Sequence, residues 1–181
     1  METRVLIPPS WSELAPLISA SREEGYLFLV RLEHEYLSGK VRFDPAGETL
    51  LGVFENSALV AVGGLTRDSD SGVNSTGYVR DVYVLPECRL RGIGKMLVAE
   101  IERPARGHFN TLVLRAGNMA AARFYKQIGY EVLAPDGTAT HGRLLVQRDS
   151  QRVVLGQCRH WMTYHPPVNS WTLFNITRSS R

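Results

Sequence analysis

The chain predicts a single α/β (α+β) domain built from six to seven strands and about four helices, and three observations carry this reading. Its 181 residues can enclose one full hydrophobic core, and 44% apolar with 22% charged residues is ordinary for a globular protein. Short segments rich in β-branched and aromatic residues read as strands. Between them lie stretches whose apolar side chains recur at helical spacing.

Residues 4–7 make a first strand, closed by Pro8-Pro9. Ser10 or Ser12 can cap a helix running to about Arg22, with Glu13 near its start and Gly25 as its break. A second helix presents Tyr26, Leu29, Val30, Leu32, Tyr36 and Leu37 on a broad apolar face and stops at Gly39. Residues 40–48 read as loop. Strands Glu48 to Glu55 and Ala58 to Thr66 are joined by the tight turn Asn56-Ser57. Gly63-Gly64 inside the second of them points to a bulge or a close backbone approach.

The polar run Asp68 to Gly77 reads as a flexible loop, followed by a strand over 78–84 that would lie antiparallel to the one before. Pro86 stops that strand. Ile93, Met96, Leu97 and Ile101 then form one face of a helix that Pro104 ends. A strand over Thr111 to Arg115 leads to Asn118, a good helix cap, with Ala121, Phe124 and Ile128 on one face and Gly129 at the left-handed stop. Tyr130 to Leu133 and Ala139 to Val146 read as strands joined through the turn Pro135-Asp136-Gly137. Residues 151–155 and 158–164 have strand-like composition, and Pro166-Pro167 with a Ser- and Arg-rich end suggests a loosely attached tail. The organisation expected is a domain over 1–146 and an extension of unknown role over 147–181.

A net charge of +3 and the lack of any basic run argue against a nucleic-acid partner. Neither a signal peptide nor a membrane span is legible, and two cysteines are too few for a disulfide framework, so a reducing, cytoplasmic setting is the default expectation. Cys88 packs as a small apolar group on this reading, although its place beside the loop described next leaves a mixed disulfide with a thiol cofactor conceivable. The five histidines show no metal-ligand spacing, and Cys158-x-His160 lacks the partner pair of a zinc site, so no metal is expected.

Chemistry concentrates between the strand at 78–84 and the helix from Ile93. There the chain reads Arg89-x-x-Gly92-x-Gly94, with Arg91 and Lys95 beside it. The first turn of a helix has unpaired N–H groups and a partial positive charge. Two glycines let the chain turn tightly and let a ligand reach the backbone, so the arrangement is a cradle for a diphosphate. It is not a nucleoside-triphosphate loop, and position 97 is Leu where the dinucleotide fingerprint needs Gly. A second cluster runs Asn118-x-x-Ala121-x-x-Phe124-Tyr125-x-x-x-Gly129-Tyr130. An ordinary amphipathic helix explains all of it except Tyr125, which lies at the edge of the apolar face.

The first cluster resembles the Arg/Gln-x-x-Gly-x-Gly/Ala signature of the GCN5-related N-acetyltransferases, the GNAT family, and the second resembles that family's other hallmark. The resemblance covers about residues 3–146. It implies a mixed, mostly antiparallel sheet whose central strands splay apart after 78–84. It further implies acetyl-CoA as cosubstrate, with its pantetheine arm along Val82, Tyr83 and Val84. The diphosphate would rest on Arg89, Leu90, Arg91, Gly92, Ile93, Gly94 and Lys95, and Asn118 would contact the cofactor. Tyr125 would lie near the sulfur as general acid.

The acceptor implied is a primary amine on a small molecule or peptide, attacking the thioester directly. Many relatives place a Glu where this chain has about Tyr78. Asp81 is the nearest carboxylate and either serves as base or pairs with Arg80 or Arg115, and a water chain is the other route. Glu24, Glu33 and Glu35 read as solvated helix charges, although this region usually lines the acceptor pocket. Two alternatives stay open: a non-catalytic acyl-CoA sensor or scaffold, and a protein acetyltransferase subunit using 147–181 as a docking arm. A homodimer, common in the family, is also left open.

Overall fold

The computed structural model describes residues 1–68, 75–133 and 139–145. The elements are β1 (Glu2–Val5), α1 (Trp11–Glu23), α2 (Phe28–Leu37), β2 (Thr49–Glu55), β3 (Ala58–Arg67), β4 (Thr76–Val84), α3 (Ile93–Ala105), β5 (Thr111–Leu114), α4 (Met119–Gln127), β6 (Glu131–Val132) and β7 (His141–Leu144). A 3₁₀ turn over Pro86–Cys88 links β4 to the loop before α3. The strands form one seven-stranded sheet in the order β1-β2-β3-β4-β5-β7-β6. Every pairing is antiparallel except β4 with β5, which is parallel. The expected mixed, mostly antiparallel sheet with four helices is therefore the fold observed.

Side-chain alternation along the strands gives the sheet two apolar faces. Leu51 and Val53 join Leu97, Ile101, Leu112 and Tyr130 in one core cluster, beneath α3 and α4. Their neighbours Leu50 and Phe54 join Leu14, Leu17, Leu29 and Leu32 in the other, beneath α1 and α2. Each wholly buried leucine contributes roughly 1.5–3 kcal/mol by leaving water. The sheet is thus clamped from both sides, and the central strands cannot shift without opening a core.

Several boundaries differ from the sequence reading, each for a physical reason. β4 begins at Thr76, two residues before the expected start, because Thr76 and Gly77 pair with Thr111 and Leu112 of β5. β1 begins at Glu2 and ends at Val5 instead of covering 4–7, with Leu6 donating its amide to the Leu50 carbonyl beyond the strand. Pro104 does not end α3. It removes a single N–H, and the turn continues because Arg106 still bonds to the Glu102 carbonyl and Phe109 to that of Ala105. Leu37, expected on the apolar face of α2, is exposed.

Asn56 and Ser57 both take positive φ, 49° and 66°, as the mirror-image two-residue hairpin turn requires. The turn Pro135-Asp136-Gly137, Val146, most of the polar run after Asp68 and the extension over 147–181 lie outside the described residues. No helix among those described is long and apolar enough to cross a membrane.

Candidate active site

The parallel ladder between β4 and β5 runs from Thr76 opposite Thr111 to Val79 opposite Leu114. β4 continues to Val84, still paired on its other side with β3 through Ala61. From Arg80 to Val84 its edge therefore has no partner strand among the described residues, leaving a gap between it and the diverging β5. Leu85 donates its amide to the Val60 carbonyl across the β3 side, at 3.0 Å. Alternation along the strand then directs the Val84 amide into the gap. The Val84 carbonyl, which points the same way, accepts from Arg89 Nε at 2.9 Å.

A β-bulge re-aims the side chains at the mouth of this gap. Val62 lies opposite Tyr83 and Gly64 opposite Arg80, so Asp81 and Val82 together face Gly63. Asp81 takes φ 56°, the left-handed conformation that asparagine and aspartate tolerate best after glycine. The extra residue shifts the alternation: Val79 packs in the cluster under α3, and after the bulge Val82 and Val84 pack there. Tyr83 is thereby turned to the α2 side.

The loop from Arg89 to Gly92 rises from the end of β4. Leu90 takes φ 61° and is wholly exposed, and Gly92 takes φ 80° with open space where a Cβ would stand. No side chain caps α3, so the amides of Ile93, Gly94 and Lys95 present the helix N-terminus bare. Ile93 is buried and anchors the loop from below, while Lys95 is exposed. A Cβ on Gly94 would stand 3.3 Å from Phe124 Cζ and 3.7 Å from Val84 Cγ2, so β4, α3 and α4 meet there. This is a bare-backbone cradle of the kind a diphosphate needs.

On the far side of the gap, Asn118 caps α4 by accepting from the Ala121 amide at 2.8 Å, as its position predicts. Its Nδ2 donates to the Tyr26 hydroxyl at 2.7 Å. Gly129 takes φ 99° just past the helix. Tyr125 is buried, with ring centroids 5.0 Å from Phe124 and 5.6 Å from Tyr130. Among the described residues no side chain or carbonyl holds its hydroxyl, and every buried side-chain polar atom there has a partner. Burial, then the nearby Tyr78 and Asp81, push the Tyr125 pKa up, so the hydroxyl carries its proton at neutral pH.

The carboxylates hold roles the sequence reading did not give them. Glu24 and Glu35 are not solvated helix charges. Glu24 grips Arg89 through Oε1 to Nη1 at 2.7 Å and Oε2 to Nη2 at 2.5 Å, and it accepts from the Tyr83 hydroxyl at 2.6 Å. Arg89 first, then Tyr83, draw the Glu24 pKa down to about 2. Glu35 takes Arg80 Nη2 at 2.5 Å and Lys40 at 3.3 Å. Burial opposes its ionisation, but Arg80 and Lys40 outweigh that and lower its pKa.

Of the two partners open to Asp81, the structure selects Arg80, whose Nε lies 2.6 Å from Oδ2. Burial outweighs this contact and raises the Asp81 pKa. Arg91 is also engaged, forked onto Glu55 at 2.6 and 2.9 Å. Nothing in a helical charge pattern marks Glu24 or Glu35, since their arginine partners lie on β4 and the loop after it. The only signal was an arginine within the strand at position 80, which must find an anion when its strand is covered.

The acetyltransferase (GNAT) family model matches residues 11–130 of this chain, and the chain belongs to that family. Among solved structures, a protein from Exiguobacterium sp. 255-15 assigned as an acetyltransferase is similar at 26% identity and a TM-score of 0.68, over 80% of this chain and 94% of that one. A GNAT acetyltransferase from Brucella melitensis in complex with acetyl-CoA matches at 16% identity and TM-score 0.61, over 81% of this chain and 88% of its own. An aminoglycoside 6'-N-acetyltransferase complexed with coenzyme A matches at 14% and 0.62, over 82% and 99%. These last two share the fold. No curated protein sequence matches the chain.

Proposed function

We propose that the protein is an acetyl-CoA-dependent N-acetyltransferase that moves an acetyl group to a primary amine of a small molecule or peptide by direct attack in a ternary complex. One observation carries the reading: beyond Val79 the β4 edge has no partner strand among the described residues and is followed by the uncapped start of α3, while Tyr125 of α4 lies close enough to Tyr78 and Asp81 of that strand to be affected by them. An extended amide-bearing chain fits such an edge as an added strand would, and a diphosphate fits the amides of the loop and of Ile93, Gly94 and Lys95.

Acetyl-CoA supplies an acetyl group activated as a thioester. Val84 offers its amide to the acetyl oxygen as negative charge grows there. As the new C–N bond forms and the C–S bond breaks, Tyr125 gives its proton to the departing sulfur. The amine arrives charged at neutral pH and must lose a proton, which water carries off.

Tyr78 stands where many relatives carry a carboxylate, and that residue favours the second reading, a sensor that binds acyl-CoA without turnover. Two measurements separate them. Acetyl-CoA should raise the melting temperature, because it binds only the folded chain. Thiol release with a panel of amines should then exceed the rate without amine. A raised melting temperature with no amine-dependent thiol release would establish the sensor instead.

A further inference from the structure

The turn between α1 and α2 reaches both sequence motifs at once. Glu24 holds Arg89, the first residue of Arg89-x-x-Gly92-x-Gly94, and Tyr26 holds Asn118, the first residue of the α4 motif. The turn is firm. Gly25 reverses the chain at φ 82°, its amide bonds to the Arg22 carbonyl at 3.0 Å, and that of Tyr26 bonds to Ser21 at 2.8 Å. Ser21 is wholly buried. One rigid corner therefore spans the two lips of the β4–β5 gap.

We propose that Glu24 is a positioning residue: it pins Arg89 against the end of β4, so that the cradle acts on the diphosphate through backbone amides and not through the Arg89 charge. The inference rests on the acetyl-CoA-binding reading above.

Each nitrogen of the Arg89 guanidinium already has an acceptor. Nε donates to the Val84 carbonyl at 2.9 Å, and Nη1 and Nη2 donate to the two oxygens of Glu24. The guanidinium carbon lies 5.4 Å from the centre of the Tyr83 ring, whose hydroxyl completes the coordination of Glu24. Planar fork against planar carboxylate is a geometry that fixes position. A cation compensated by an adjacent carboxylate adds little net attraction for a second anion. What remains is its grip on Val84, the residue whose amide faces the gap and whose successors lead into α3.

A different arrangement, in which Arg89 leaves Glu24 and closes on the diphosphate, predicts the opposite sign for one substitution. Glu24→Gln releases the guanidinium while preserving shape. As a pin, its loss should weaken coenzyme A binding in calorimetry by about tenfold and raise KM for acetyl-CoA by a similar factor, with a smaller fall in kcat because Arg89 also holds Val84. As a restraint on a phosphate ligand, its loss should tighten binding. Tighter binding by the Glu24→Gln protein overturns the inference.

Arg89→Lys gives an independent check that does not depend on Glu24→Gln being well folded. It keeps the charge and loses the fork, so it should weaken binding as much as Arg89→Ala does. Wild-type affinity in Arg89→Lys also overturns the inference. Absence of any coenzyme A heat with the wild-type protein would overturn the acetyltransferase reading and this inference together, whereas normal wild-type binding isolates the test to Glu24 and Arg89.

Discussion

Val79 on β4 stands opposite Leu114 on β5, and beyond this pair the two parallel strands separate. On its other side β5 is tied to the residues before β7. The Leu114 carbonyl accepts from the Thr140 amide at 2.8 Å, and the Ala116 amide donates to the Thr140 hydroxyl at 2.8 Å. The chain after Leu114 is therefore drawn toward β7 and away from β4. One threonine on the approach to β7 thus ties the end of β5 to the side away from β4.

Thr140→Val tests that role with almost no change of shape. It leaves the Ala116 amide without its acceptor in a half-buried place, which costs about 1–3 kcal/mol. Thermal unfolding should register the loss, and coenzyme A binding should weaken beyond what the remaining folded fraction explains. Unchanged affinity would mean that the gap is held by other contacts.

Tyr125→Phe removes a hydroxyl that no partner among the described residues holds, so it should cost the fold little. General acids typically contribute a factor of about 100 to 10,000, and a thiolate leaves more readily than most groups, so kcat should fall about 10- to 100-fold. Affinity for coenzyme A should stay within about twofold, since the ring and its packing remain. Stopped-flow thiol release against calorimetric affinity makes the comparison. Unchanged turnover would remove Tyr125 from the chemistry and leave it an aromatic packed on Phe124 and Tyr130.

Gly92→Ala separates backbone strain from ligand contact. At φ 80° a Cβ is disfavoured by about 1–2 kcal/mol, yet nothing lies within 4 Å of where it would sit. The melting temperature should drop by a few degrees for the conformational cost alone. Coenzyme A affinity should fall further, because the new methyl stands where a ligand would approach the amides. A stability loss with undiminished affinity would show that the diphosphate does not use this turn.

Much of the frame was legible because local rules agreed with tertiary ones. Asn118 reads as a cap and is one, and Gly129 reads as a left-handed stop and takes φ 99°. Gly63-Gly64 read as a bulge or a close approach, and the strand opposite them does carry an extra residue at Asp81. The hairpin at Asn56-Ser57 forms without the usual glycine, so its strands supply what the turn lacks.

The charge assignments were not legible, since an ion pair is a relation between distant positions. Glu24 and Arg89 stand 65 residues apart, and Glu35 and Arg80 stand 45 apart. No helical or strand period connects them. Arg89 itself reads as a phosphate ligand from its place in the motif, and its neighbours in space are a carboxylate, a carbonyl and a tyrosine ring.

The Glu24–Arg89 pair also sets a pH dependence whose sign can be worked out. Glu24 titrates at about 2 in the folded chain against 4.5 for the free side chain, chiefly through Arg89 and then Tyr83. A depressed carboxylate adds stability that is complete above the unfolded value and is lost as pH falls toward the folded one. Its side chain is 30% exposed, so solvent screening keeps the contribution modest. Urea unfolding of wild type and Glu24→Gln should give a constant difference above about pH 5, and that difference should close between about pH 4.5 and pH 2. A difference that persisted undiminished at the acid end would mean that the pair is held by shape and not by charge.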